Sequence, residues 1–224
     1  MYKAKPQYKL FVSESENEIT PCMHLRRISQ SVTNECLSSY GKPDHVLYRC
    51  GVPGDGSCFF HSICASLDVG RWNTRRWTSR TQIGLTFRRL CREMMNAPEF
   101  EKDWVKSFAT PPSVANIMAK MEKPSEWADI WIISWVMWRF KIGCIFFDGT
   151  SGGKIYCGVE GDPHAITFVM IQWVNRSHFE PIFLHDGNHM MTSLSPDHSF
   201  TKHLRTIYHR ECPCPSQRSQ RSQR

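Results

Sequence analysis

The chain has 224 residues and a formal net charge of +7, with 41% hydrophobic, 12% aromatic and 22% charged residues. These values sit near globular averages and exclude a disordered, collagen-like or coiled-coil chain. At this length folding buries roughly 70–75% of the unfolded chain's surface, so stability needs no disulfide framework. One large domain or two small ones fit.

Three of the positive charges lie in a terminal triple repeat of Ser-Gln-Arg, residues 216–224. No Arg/Lys stripe with interleaved aromatics accompanies them, so nucleic acid is not an expected partner. Ten cysteines would be a heavy load for an oxidised scaffold of this size. Residues 1–9 are polar with no apolar run behind them. The cysteines are therefore read as reduced thiols in a cytosol-like compartment. The most apolar stretch, residues 130–147, is broken by Arg139 and Lys141. It is too short and too charged to span a membrane and predicts a buried helix followed by a buried strand.

Residues 9–12 could form a short strand. Ile28, Val32, Cys36 and Tyr40 recur every fourth position, a helical stripe over residues 27–40 stopped by Gly41 and Pro43. Residues 45–50 read as a strand entering a glycine-rich turn, and residues 58–67 as a helix. Ser79 followed by Gln82 suggests a capping box, with Ile83, Phe87, Leu90, Cys91 and Met94 continuing an amphipathic helix up to Pro98. A short helix is expected over residues 114–121, and Pro124-Ser125 is read as opening the long helix that ends near Lys141. Strands follow at residues 144–147, 155–159, 166–174 and 178–184. Helices first and strands later predict α+β or α/β architecture.

The chemistry concentrates in residues 52–62, Val-Pro-Gly-Asp-Gly-Ser-Cys-Phe-Phe-His-Ser. Glycines permit a tight strand-to-helix turn. Free N–H groups at a helix start stabilise both a thiolate and a developing oxyanion. Cys58 in that place is expected to have a lowered pKa and to be nucleophilic, although a buried structural cysteine at a helix start fits position alone. A nucleophilic cysteine needs a base. With ten histidines a count decides nothing, but His178 begins an apolar run at the mouth of a core strand. Strand alternation puts Glu180 on the same face, where a carboxylate can orient an imidazole. An edge histidine on a surface strand satisfies the same pattern. A second cluster, His185, His189, His198, His203, His209, Cys212 and Cys214, contains zinc-type ligands. Cys212-Pro-Cys214 lacks the spacing of a zinc knuckle, so no metal and no other cofactor is expected.

Residues 53–63, Pro-Gly-Asp-Gly-Ser-Cys-Phe-Phe-His-Ser-Ile, resemble the catalytic cysteine block of the ovarian-tumour (OTU) family of cysteine proteases. Residues 177–182, Ser-His-Phe-Glu-Pro-Ile, resemble that family's histidine block. Between them, Glu126-Trp127-Ala128-Asp129, a long helix and the strand at 143–147 resemble its central segment. The likeness runs from about Tyr48 to Leu184 in the family's order. In wording the blocks are closest to viral members such as nairovirus OTU domains, which attack ubiquitin and related modifiers on host proteins.

The resemblance implies a papain-like α+β OTU fold, with a central, mostly antiparallel sheet between helical lobes. Residues 45–205 would form the catalytic domain. Residues 1–44 would be an extension whose helix packs on it, and 206–224 a basic, disordered tail. It implies a thiol isopeptidase in which Cys58 attacks the carbonyl of the modifier's C-terminal glycine and His178 is the base. Asp55 would shape an oxyanion loop that includes Gly56 and Ser57. Glu180 stands where many relatives carry a shorter Asp or Asn that orients the histidine, and Asn175 is the substitute for that role. Trp127, Asn175 and Phe179 would line the cleft, with a core position equally ordinary for Trp127. The implied partners are ubiquitin and ubiquitin-like modifiers, with no membrane and a monomeric chain. The implied setting is the cytoplasm of a host whose innate signalling would be blunted. A slender Leu-Arg-Gly-Gly tail suits a cleft that admits only glycine. Glu93, Glu99, Glu101 and Asp103 are candidates to meet its arginine.

Overall fold

The structure, a computed structural model, describes residues 25–28, 37–67, 72, 77–97, 100–101, 112–148, 155–156, 165–175 and 177–211. Strands β1 (Leu25–Arg27) and β2 (Val46–Cys50) precede helices α1 (Cys58–Leu67), α2 (Trp77–Met95), α3 (Val114–Glu122) and α4 (Ile130–Phe140). Then come β3 (Ile142–Asp148), β4 (Ile155–Tyr156), β5 (Thr167–Val174), β6 (His178–His185), β7 (Met190–Met191), β8 (Ser193–Leu194) and helix α5 (Ser199–Glu211).

The strands form one sheet in the order β1-β2-β6-β5-β3-β4, with β7 beside β6 and β8 beside β5. Only the β3–β5 pairing is parallel; the others described are antiparallel. The class is α+β with a mostly antiparallel sheet, as the sequence predicts.

Strand alternation divides the core between the two faces. Val169 and Ile171 of β5 and Cys144 and Phe146 of β3 pack with Phe59, Phe60, Cys91, Ile132 and Val136 of the helices. Phe168 and Met170, Ile145 and Phe147, and Ile182 and Leu184 point the other way, onto Leu37, Phe200 and Leu204. The sheet is thus covered on one face by α1 to α4 and on the other by α5 and the helical turn at residues 37–40. That turn meets α5 directly, with Ser39 Oγ 3.0 Å from His203 Nε2 and Tyr40 edge-on to Phe200.

Several boundaries differ from the expectations. The helix α1 spans the expected residues, because its apolar residues bury it on nearly every side. The long helix opens at Ile130 rather than at Pro124-Ser125. Asp129 caps it, its Oδ1 accepting the N–H groups of Trp131 and Ile132 at 3.1 Å each. The segment before it is held instead by side-chain contacts described below. Ser79 sits inside α2, which already begins at Trp77, so it caps nothing. Arg27, the first residue of the proposed 27–40 helix, belongs instead to β1 against β2, and of the described residues in that span only 37–40 are helical. Helix α5 was not foreseen, and it runs through Glu211, across the expected boundary at residue 205. The proposed strand at 9–12, residues 157–159 and the tract 216–224 lie outside the described residues, as do Cys212 and Cys214. Among the described residues no three His, Cys, Asp or Glu side chains converge as metal ligands, and no helix is long and apolar enough to cross a membrane.

The Asp129 cap yields a direct test. Losing a capping carboxylate typically costs about 1 kcal/mol. Asp129→Ala should lower the unfolding free energy by about that amount in urea titrations, and Asp129→Asn by clearly less. Equal losses would mean that the ion pair with Lys120, not the cap, sets the cost.

Candidate active site

The site grows from a gap in the sheet. Pairing of β2 with β6 stops at Arg49 and Ile182, so the first residues of β6 lack a strand partner on that side. Helix α1 takes the vacant place. The N–H of Phe179 donates to Cys58 Sγ at 3.4 Å, and the carbonyl of Phe179 lies 3.1 Å from Ser62 Oγ one turn along α1. Both polar backbone groups of Phe179 are thereby satisfied by one helix, and the sulfur is fixed beside the start of β6. The Phe179 ring packs on Phe59 and Phe146 and stacks on the half-exposed Trp173.

Cys58 is the first residue of α1 and is 3% exposed. Burial pushes its thiol above the ordinary value, and the negative charge of Asp55 adds to that. The N–H groups of Phe179, Phe59 and Cys58 itself pull it back down. The sequence-based expectation of a lowered pKa is therefore overturned: desolvation outweighs the helix start. Those same N–H groups are positioned to stabilise negative charge at the sulfur or on an oxygen bound next to it.

His178 precedes Phe179 and opens β6. Its ring borders the pre-cysteine loop, with Cε1 3.9 Å from where a β-carbon on Gly54 would stand. Nε2 of His178 is 3.8 Å from Glu180 Oε1, beyond hydrogen-bond range but within electrostatic reach. The other oxygen, Oε2, lies 3.3 Å from Arg49 Nη1, out of line for a hydrogen bond. Sequence reasoning missed Arg49, which shares a strand face with Leu47 in β2. Asn175 is exposed in the β5–β6 turn with φ 51°, a left-handed backbone. The contact between Glu180 and the imidazole suits it to orient the ring.

Asp55 does not face the sulfur as a base would. Its Oδ1 accepts the Ser57 N–H at 3.0 Å and lies 3.0 Å from His61 Nε2, with Oδ2 at 3.1 Å. His61 is fully buried, and burial lowers its pKa despite Asp55. Its Nδ1 has no hydrogen-bond partner. A bare Nδ1 and a donating Nε2–H together assign the neutral tautomer, since a charged ring would bury an unsatisfied N–H. His61 is thus a buried donor that holds Asp55, a role the sequence pattern did not reveal.

The remaining loop residues are equally constrained. Gly56 has φ +84°, and a β-carbon there would stand 2.3 Å from Ser125 O. Only glycine fits both the backbone and the space. Ser57 is buried, its hydroxyl donating to Pro124 O at 3.1 Å. Arg88 of α2, 2% exposed, reaches across the same region. Its Nη1 lies within 3.2 Å of Gly56 O, Ser57 Oγ, Pro124 O and Glu126 O. Its Nη2 lies 2.7 Å from both Lys120 O and Lys123 O. Arg88 was also missed; an arginine within an amphipathic helix reads as surface until its partners are known. Trp127, in the segment Arg88 grips, is 48% exposed, so it is not a core residue. Glu93 and Glu101 are exposed, and Glu99 and Asp103 lie outside the described residues.

Gly84 explains how α2 approaches α1. A β-carbon on it would stand 1.9 Å from His61 Nδ1. Gly84→Ala should therefore destabilise the fold by roughly 1–3 kcal/mol, the usual cost of overpacking. In a His61→Ala background the same substitution should cost far less in denaturant unfolding. Additive costs would show that the His61 contact is not the source.

Neither the family models nor the curated proteins compared with this sequence match it. Among solved structures, the chain is similar to an ovarian-tumour (OTU) domain in complex with ubiquitin at 15% identity, covering 73% of this chain and 86% of that one, with a TM-score of 0.46. It is similar to the OTU domain of OTUD1 at 12% identity, covering 68% and 95%, with a TM-score of 0.45. A Hazara virus OTU bound to ubiquitin is 13% identical, covering 75% and 94%, with a TM-score of 0.39.

Proposed function

We propose that this chain is an OTU-type thiol hydrolase that cuts peptide or isopeptide bonds after the C-terminal glycine of ubiquitin or a ubiquitin-like modifier. One observation carries the reading: the Phe179 N–H bound to Cys58 Sγ joins two sequence blocks 121 residues apart, each of which resembles one half of that family's catalytic machinery. The bracing of the glycine turn by Asp55, His61 and Arg88 supports it as well, since a structural cysteine would need none of that bracing.

In the reaction, Cys58 gives its thiol proton to His178 as the sulfur attacks the glycine carbonyl. The resulting oxyanion is met by backbone N–H groups at the start of α1. The carbon–nitrogen bond then breaks, and His178 returns the proton to the leaving amine. Water, deprotonated by the same imidazole, hydrolyses the thioester and frees the modifier's carboxylate. Glu180 keeps the ring oriented. Trp127 and Trp173, both exposed, flank the segments that meet at Cys58 and offer apolar walls for a slender tail. Turnover on host conjugates in the cytoplasm, damping innate signalling, is the wider role this chemistry suits. A binding module that uses the same surface without chemistry is the alternative, and it gives no account of His178 and Glu180 flanking the residue whose N–H holds the thiol.

Cys58→Ala should abolish turnover of a fluorogenic ubiquitin substrate while leaving thermal unfolding near wild type. Losses for removed nucleophiles run to about 10⁶. Iodoacetamide should do the same to the unmodified chain, and strong chelators should have no effect. Residual cleavage by Cys58→Ala would remove the mechanism.

Glu180→Ala should slow turnover by roughly 10- to 1000-fold, short of the ~10⁴ found for a serine-protease aspartate, because a thiol depends less on the third residue. Glu180→Asp should be tolerated and Glu180→Gln should keep part of the rate. Asn175→Ala is the control in the same kinetic assay. Greater damage from it than from Glu180→Ala would reassign the orienting residue.

A further inference from the structure

One peptide unit of the glycine turn is bound at both ends. The Ser57 N–H of the Gly56–Ser57 peptide donates to Asp55 Oδ1 at 3.0 Å. Its carbonyl oxygen, that of Gly56, lies 3.2 Å from Arg88 Nη1. The next unit follows from it: Ser57 O accepts the His61 N–H at 3.0 Å as the first bond of α1, which holds the peptide that carries the Cys58 N–H. A glycine peptide turns over easily because glycine accepts either sign of φ. Turning this one would break a charge-assisted bond to Arg88 and take the Gly56 carbonyl away from that partner.

Resting on the hydrolase reading above, we propose that Arg88 is a positioning residue for the oxyanion site. It locks the Gly56–Ser57 peptide so that the Cys58 N–H stays aimed at the reacting carbonyl. Its remaining bonds, to the carbonyls of Lys120, Met121, Lys123, Pro124 and Glu126, tie the lock to the segment that carries Trp127. The cleft wall and the oxyanion loop are therefore held by one side chain. Arginine suits this place because its planar fork offers five donors in fixed directions, whereas lysine offers three on a single nitrogen.

A purely structural staple between α2 and the 120–126 segment would behave differently. Arg92, which pairs with Glu122 across the same two helices, supplies the comparison. The test is Arg88→Lys beside Arg92→Ala in the full chain. It has three readouts: steady-state cleavage of a fluorogenic ubiquitin substrate, the rate of Cys58 alkylation by iodoacetamide followed by peptide mass spectrometry, and amide hydrogen exchange at Ser57 and Cys58. Arg88→Lys should lower kcat by about 10²-fold, the lower end of the range for one oxyanion donor. KM should change by less than about 3-fold, and alkylation by a similarly small factor, because the thiol itself is untouched. Exchange at Ser57 should rise at least about 10-fold. Arg92→Ala should leave kcat and that exchange as in wild type.

An unchanged kcat in Arg88→Lys, or a fall matched equally by alkylation, overturns the proposal. If Arg88→Lys does not fold, Ser57→Ala carries the test. It removes one of Arg88's two loop contacts and should cost several-fold in kcat with unaltered KM; no change overturns the proposal. Should the unmodified chain fail to cleave any ubiquitin substrate, the hydrolase reading fails. The exchange readout then still decides whether Arg88 holds the loop.

Discussion

Two backbone groups of Phe179 organise this molecule's candidate site. Strand β2 leaves β6 before β6 begins, and an unpaired N–H and carbonyl in the interior would each carry a desolvation cost. The start of α1 settles both, with Cys58 Sγ accepting from the N–H and Ser62 Oγ meeting the carbonyl. A satisfied backbone, a helix start and a sulfur are thus brought to one point. His178 and Glu180 follow from the same register, since they flank Phe179 on the opposite face of the strand, the latter pairing with Gln172 of β5.

What surrounds the sulfur is held stiffly. Asp55 is fixed by neutral His61, His61 is fitted against Gly84, and Gly56 is seated on Ser125. Arg88 closes the set from α2. Each of these is a buried polar contact or a glycine with no room for a side chain, so errors in any of them propagate to the loop. Burial also raises the Cys58 thiol. The N–H groups of Phe179, Phe59 and Cys58 itself act against that rise.

The legible part of the sequence was its apolar patterning and its glycine turn. Helix α1 and the cores of α2, α3, β3, β5 and β6 follow from those. The start of α4 was misjudged because Pro124-Ser125 resembles a helix opening, whereas Asp129 supplies the cap. Helix α5 escaped notice because its histidines and basic residues suggested ligands rather than an amphipathic face on Leu37 and Tyr40. Arg49, His61 and Arg88 were silent for a common physical reason. Each acts through a partner far along the chain, such as Glu180, a loop carbonyl or a glycine on another helix, and local periodicity carries no record of such pairs. The lowered thiol pKa was expected from the helix start alone; it failed because burial could not be weighed without the packing.

The central claim is that Cys58 attacks the carbonyl at the end of a ubiquitin tail. Ubiquitin bearing a thiol-reactive electrophile in place of its C-terminal carboxylate tests it most directly, with the adduct mapped by mass spectrometry. The account predicts a single covalent product on Cys58, formed far faster than with the electrophile alone and blocked by excess free ubiquitin. An adduct on any other cysteine, or a rate no greater than that of the isolated electrophile, would contradict it.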